Sequence, residues 1–254
     1  VVVDTHAHLD FPEFEADLPQ VLERAAAAGI GRVITIGTSV EGSGRALAIA
    51  NTYPNVDAVI GVHPTSAEEA PDDFVTRLAE MAADPRVVAL GETGLDYHRE
   101  SFDKEKQARV FRRQLDLACE LKLNVVIHQR DAWEDTLAIL RPYSKDLRAV
   151  FHCFGNSIAQ AEEVFSLGHL ISFTGIVTFK NAGVVKDNAK NVPPDRYMVE
   201  TDCPFLAPDP FRGRRCEPAH TRRVVEVIAA LRGESVERVE AQSTRNAAGF
   251  FHGL

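Results

Sequence analysis

Val1-Val2-Val3-Asp4-Thr5-His6-Ala7-His8-Leu9-Asp10 opens the chain, and its reading decides how everything after it is read. Three consecutive β-branched residues predict a short strand buried on both faces. The chain leaves that strand through His-x-His. Residues two apart on an extended segment point the same way, so His6 and His8 aim their rings at one common point. A divalent ion is one occupant of that point, because imidazole is the commonest metal ligand of proteins. Two solvated histidines are the other reading of so short a motif.

Outward from this strand, short β-rich runs alternate with amphipathic helical stretches. Leu18, Val21, Leu22, Ala25 and Ala26 keep helical spacing up to Gly29. Further strands are predicted at 32–36, 58–62, 87–90, 124–127, 148–151, 169–173 and 196–200. Helices are expected near 44–51, around Phe74 to Ala82, over 104–121, from Trp133 to Leu140, and around Val224 to Leu231. Ser157 and Gln160 have capping-box spacing and open another helix, which ends near Gly168. Strict βα alternation implies a parallel sheet, and eight units imply closure into an α/β (β/α)8 TIM barrel. One domain over 1–254 is expected. An open doubly wound sheet is the alternative, but the Gly-rich phosphate loop that would favour it is absent.

The composition fits this picture. A chain of 254 residues buries about three quarters of its unfolded surface, so no metal is required to hold it together. Any metal is then expected to serve function. No apolar run reaches the roughly 18 residues of a membrane span, and the first residues do not read as a signal peptide. Cys119, Cys153, Cys203 and Cys216 show no C-x-x-C spacing, as expected of reduced thiols in a cytoplasm. A net charge of −9 excludes broad coating of duplex nucleic acid but leaves room for local capture of one or two phosphates.

In such a barrel the site forms where strands deliver their C-terminal residues. His6, His8, His63, His128 and His152 each fall at the end of a predicted strand, as do Glu92 and Asp202. Imidazoles gathered without a metal would repel when protonated and leave buried polar groups unpaired when neutral. A metal site is the economical reading. His98, His169, His220 and His252 lack this placement and are expected not to be ligands. Cys153 and Cys203 each follow a candidate ligand by one residue, and on an extended chain should point away from the metal. Cys119 reads as a helix core position.

Residues 4–10, Gly91-Glu92-Thr93-Gly94-Leu95-Asp96-Tyr97, His152-Cys153-Phe154, residues 172–182 and Glu200-Thr201-Asp202-Cys203-Pro204 resemble the TatD family of metal-dependent deoxyribonucleases. The resemblance runs from the first strand to Asn246. It implies a barrel hydrolase of phosphodiesters with Glu92 bridging two ions. One ion would lie on His6, His8, Glu92 and Asp202, the other on Glu92, His128 and His152. It also implies trimming of single-stranded ends in the 3′ to 5′ direction, with acylated RNA among the ends to consider. The chain departs from the family pattern at Cys216, where Asn is usual, and at Asn156, where Gly is frequent.

The expected chemistry is hydrolysis by a metal-activated water, with two ions about 3.5–4 Å apart stabilising the attacking and leaving oxygens. Asp202 is the candidate base, or a ligand only. His63 is a candidate donor to a phosphate oxygen or holder of a water; its alternative is packing below Pro64. Arg130 matches a phosphate with its planar fork, or else pairs with Glu200 or Asp131. Asp96 is expected to hold a loop or a ligand histidine from behind, and Glu200 to stand behind the ligands with it. Lys180 and Arg214, with Arg212 and Arg215, are candidates for the phosphate path, although charged loop residues are commonly just solvated. Mixed imidazole and carboxylate ligands suit Zn, Mn, Fe or Co, with Mg an option for turnover. The expected partners are single-stranded DNA or RNA ends, with no membrane and no obligate protein partner. An amidohydrolase or lactonase acting on a small molecule competes with this reading, since fold alone does not choose. A non-catalytic scaffold is the third.

Overall fold

Runs of Val, Ile and Leu become strands here because both of their faces are covered, one by helices and one by the barrel interior. Eight strands pair in chain order, every neighbouring pair parallel. They are β1 (Val2–Ala7), β2 (Ile30–Ile36), β3 (Val56–Ile60), β4 (Val87–Asp96), β5 (Val125–Arg130), β6 (Ala149–Phe151), β7 (Leu170–Phe173) and β8 (Tyr197–Val199). Between and after them lie α1 (Leu18–Ala27), α2 (Val40–Thr52), α3 (Phe74–Met81), α4 (Lys104–Leu121), α5 (Trp133–Leu140), α6 (Ile158–Ser166), α7 (Gly183–Asn191), α8 (Thr221–Arg232) and α9 (Val236–Ala248). The computed structural model describes residues 1–98 and 102–254. Its architecture is the expected (β/α)8 barrel.

The ring closes between β1 and β8 by an unusual seam. One bridge joins Ala7 to Cys203, and the amides of Asp202 and His8 donate to the carbonyls of His6 and Cys203, each at 2.8 Å. Below them the Asp4 carboxylate takes the place of a ladder, accepting the Thr201 amide at 2.9 Å and its hydroxyl at 2.7 Å. This seam sets His6, His8 and Asp202 side by side.

Two cores result. The larger fills the space between sheet and helices. The smaller lies inside the barrel, where Val3, Ile34, Ile36, Val59, Val126, Val150 and Met198 meet Phe250 and Phe251. The last two residues follow α9 and plug the end of the barrel at which the strands begin; the His252 amide donates to the Val88 carbonyl there. Helix starts follow local chemistry. Ser39 and Asp103 cap α2 and α4 through their side chains, and the Ser157/Gln160 capping box forms at α6 as the spacing predicts.

The structure differs from the sequence reading at several edges. β4 runs on to Asp96 and β5 to Arg130, so Glu92 and His128 lie within strands and not just past them. α7 and α9 are additional to the expected helices. No helix among the described residues is long and apolar enough to cross a membrane.

Candidate metal centre

Glu92 sits at the middle of the barrel mouth, almost fully buried, and its two oxygens face different groups. Oε2 lies 3.4 Å from His6 Nε2 and 3.8 Å from His8 Nε2. Oε1 lies 2.7 Å from His152 Nε2, 2.9 Å from His128 Nδ1 and 3.6 Å from His63 Nε2. Asp202 Oδ1 adds a second carboxylate, 3.4 Å from His8 Nε2 and 3.7 Å from His6 Nε2. The structure therefore brings together all six candidate ligands and His63. Three groups have donor atoms mutually within 4.8 Å: His6, His152 and Asp202; His6, His8 and Glu92; and His63, Glu92 and His128.

The donor set fits divalent cations. Imidazole nitrogens face each other at 3.3 Å in two places, His6 with His8 and His128 with His152. One shared proton serves each such pair poorly, whereas a cation satisfies several lone pairs and both carboxylates at once. Ring orientation supports the same fit. His8 Nδ1–H donates to the Ile36 carbonyl at 3.1 Å, and His128 Nε2–H donates to Asp96 Oδ2 at 2.9 Å. Each ring is thereby held with its other nitrogen, a bare lone pair, turned to the cluster. Glu200 accepts the Cys153 amide at 2.7 Å and stands 3.6 Å from His152 Nδ1, which has no hydrogen-bond partner among the described residues.

His63 behaves differently. Its Nδ1 accepts the Thr65 amide at 3.1 Å, so the neutral ring carries its proton on Nε2, the atom aimed at Glu92. Burial drives this imidazole down to about 3, which keeps it neutral. It is thus built as a donor toward negative charge. Burial pushes the Glu92 carboxyl up, but His152, His63 and His6 outweigh it and hold the group well below the usual carboxylate range. Asp202 is lowered too: burial opposes its charge, and the nearby His8, 3.4 Å away, with the His152 and His6 imidazoles overcomes it.

The outer candidates are dispersed around the mouth. Arg130 is exposed, and Asp131 pairs with His98 at 2.8 Å while Glu200 is engaged elsewhere. Lys180 and Arg214 are exposed on the loops after β7 and β8. Arg212 lies over the Phe179 ring at 3.7 Å. Arg215 is instead tied to Glu13, Asp17 and Glu217, a bracing role for that loop. Cys153 is not on extended chain, as the reading assumed. It is left-handed at φ 49° with Sγ 3.5 Å from Thr174 Oγ1, and burial pushes its thiol up to about 12. Cys203 and Cys216 are buried, and Cys119 is half-buried at the edge of the core. His98, His169 and His220 have partners away from the cluster.

The sequence reading missed the polar residues that hold these parts. Gln114 binds the Val62 amide at 2.8 Å and Thr93 Oγ1 at 2.7 Å, and Gln107 binds the amide and carbonyl of Asp96 at 2.9 and 3.0 Å. Their signal was available: both interrupt the buried apolar face of α4. Asp4, a carboxylate within a fully buried strand, was a similar signal.

Fold and donor set together define a metal-dependent hydrolase of the (β/α)8 barrel class. A sequence model of the TatD related DNase family matches residues 3–252, and the chain belongs to that family. It is 40% identical over 252 residues, 99% of each chain, to the uncharacterized metal-dependent hydrolase YabD of Bacillus subtilis. It is 35% identical over 256 residues to a 3′-5′ ssDNA/RNA exonuclease TatD of Erwinia tasmaniensis, covering 98% of this chain and 99% of that one. The crystal structure of YJJV, a TatD homologue from Escherichia coli K12, superposes with TM-score 0.94 at 31% identity, covering 100% of this chain and 98% of that one.

Proposed function

We propose that this protein is a phosphodiester hydrolase that trims single-stranded DNA or RNA ends, 3′ to 5′, using two divalent ions on His6, His8, Glu92, His128, His152 and Asp202. The observation that carries the proposal is the division of Glu92, one oxygen toward His6 and His8 and the other toward His128 and His152. The exonuclease name of the Erwinia relative supports the substrate class.

Bound cations supply positive charge against the phosphoryl oxygens and acidify water near neutral pH. The protein supplies the rest. Asp202, held ionised beside His8, is placed to take the proton of the attacking water at Oδ1. His63 offers its Nε2 proton to a phosphoryl oxygen as charge builds there. Asp96 and the Ile36 carbonyl keep the His128 and His8 rings from turning. Arg130, Lys180 and Arg214 are assigned to the incoming phosphates.

The test is an end-labelled single-stranded oligonucleotide offered to metal-loaded protein beside a lactone and an acyl amide. Cleavage of the oligonucleotide alone is expected, with kcat lowered about 10²- to 10⁴-fold in Asp202→Asn. Turnover confined to the lactone or amide would overturn the proposal, and wild-type rates in Asp202→Asn would remove that residue from proton transfer.

A further inference from the structure

Among the described residues four large hydrophobic side chains are exposed, Val1, Ile158, Val184 and Phe205. Phe205 is the aromatic one, 49% exposed, three positions beyond Asp202. Its backbone is pinned. The Phe205 amide donates to the Asp202 carbonyl at 3.0 Å, and the Cys216 amide donates to the Pro204 carbonyl at 3.0 Å. Leu206 is left-handed at φ 55°, and its carbonyl crosses so close over Gly175 that a Cβ there would come within 2.2 Å. A half-exposed phenyl ring is therefore presented by a clamped loop.

The ring is not isolated. It stands edge-to-face with Phe11 at 6.0 Å and with His8 at 6.4 Å, and Phe11 itself stacks on His8 at 4.7 Å and 20°. An aromatic wall thus runs from a proposed ligand of the metal centre out to solvent. Lys180 lies on the loop after β7, and Arg212 and Arg214 lie on the neighbouring loop, the one that carries Phe205. Lys180 follows Phe179, whose ring carries Arg212, and the Asp209 amide ties the second loop to Thr178 Oγ1 at 2.8 Å. In a chain of net charge −9 this local pairing of aromatic and basic residues is the pattern that single-stranded nucleic acid uses.

We propose that Phe205, backed by Phe11, is a stacking platform for the nucleobase flanking the scissile phosphodiester. The proposal rests on the phosphodiesterase reading and deepens it. Phenyl rings carry no hydrogen-bonding atoms, so the platform reads the face of a base and not its edge. The preferred substrate is then an unpaired end of any base sequence, because a paired and stacked base has no free face to offer.

The experiment compares wild type, Phe205→Ala and Phe205→Trp, each metal-loaded, on two end-labelled strands. One is intact and the other abasic at the nucleotide flanking the cleaved bond. On the intact strand Phe205→Ala should lose about 5- to 150-fold in kcat/KM, carried by KM, while Phe205→Trp retains activity. On the abasic strand the penalty of the alanine variant should shrink to within about twofold. Equal penalties on both strands, or none on either, would overturn the platform while leaving the nuclease reading intact. Failure of wild type to cleave the intact strand would overturn the nuclease reading, and the platform with it.

Discussion

Asp96→Asn isolates how far the protein sets the electronics of its own metal centre. Asp96 Oδ2 accepts Nε2–H of His128 at 2.9 Å, and Oδ1 accepts the His98 amide at 2.9 Å. Burial raises the Asp96 carboxyl, but the His128 hydrogen bond and the His98 amide dominate and lower it to about 2, so it is a full anion at neutral pH. Its backbone is anchored separately by Gln107, so the substitution changes charge without releasing the end of β4. A hydrogen bond to a charged acceptor is worth about 1.5–3 kcal/mol and a neutral one about 0.5–1.5, a difference of roughly 1–1.5 kcal/mol. That difference corresponds to about tenfold in affinity for the ion on the His128 side. The ion on the His6 and His8 side should be unaffected, because the Ile36 carbonyl orients His8. Calorimetric titration of metal-free protein with zinc or manganese resolves the two. Two wild-type affinities in the variant would refute the orienting role, and an equal fall in both would make Asp96 a residue of general stability.

Two further predictions concern stability and charge. His169 is buried, with Nδ1 accepting the Ala149 amide at 3.2 Å and Nε2–H donating to Ser144 Oγ at 3.0 Å; burial, then Arg148, lower it to about 4. Because the unfolded chain binds this proton more readily, the stabilisation is full above about pH 6.5 and is lost as pH falls toward 4, by about 3 kcal/mol in total. His169→Asn, which keeps an acceptor for Ala149, should flatten that segment of the pH–stability curve in urea unfolding; an unchanged slope would contradict it. Salt dependence of oligonucleotide binding should be shallow. With Arg130, Lys180, Arg212 and Arg214 as the cations assigned to the phosphates, the log–log slope should be no steeper than about −3, and a steeper one would demand basic contacts beyond these four.

How much of this was legible in the residues varies with the kind of signal. The barrel was, because alternation of buried strands with amphipathic helices repeats through the chain. The convergence of His6, His8, Glu92, His128, His152 and Asp202 was also legible, since each terminates a β-rich run. Strand ends were not: β4 and β5 continue through polar residues that pair in register, Gly94 with His128 and Asp96 with Arg130, and apolar periodicity stops before them. α7 hid because only Val185, Asn188 and Ala189 are buried in it, and α9 because Ser243 and Asn246 occupy core positions. Asn246 earns that place by donating to the carbonyls of Pro194 and Tyr197 at 2.8 and 2.7 Å, a tertiary bond no local pattern announces. The orientation of His63 depends on Thr65, two residues on, whose amide meets Nδ1 only because the chain turns there, a turn that residue types alone do not announce.

The seam between β1 and β8 explains why the centre and the fold cannot be separated. Strand ladders elsewhere in the barrel are made by backbone groups that any sequence possesses, but this closure adds the side chains of Asp4, Thr5 and Thr201 to its short backbone bridge. Thr5 Oγ1 donates to the Val199 carbonyl at 3.0 Å, and Asp4 takes both donors of Thr201. α9 follows the same contact, with Thr244 Oγ1 donating to the Val1 carbonyl at 2.9 Å and Asn246 fastening the start of β8. His6 and His8 therefore meet Asp202 across a contact whose residues, Asp4 and Thr201, stand 197 positions apart in the chain. Half of the proposed ligand set is brought together by the β1/β8 seam, whereas Glu92, His128 and His152 come from β4, β5 and the end of β6, which are neighbours in chain and sheet. The His128 half is consequently the more locally specified of the two, and the His6, His8 and Asp202 half is the one coupled to closure.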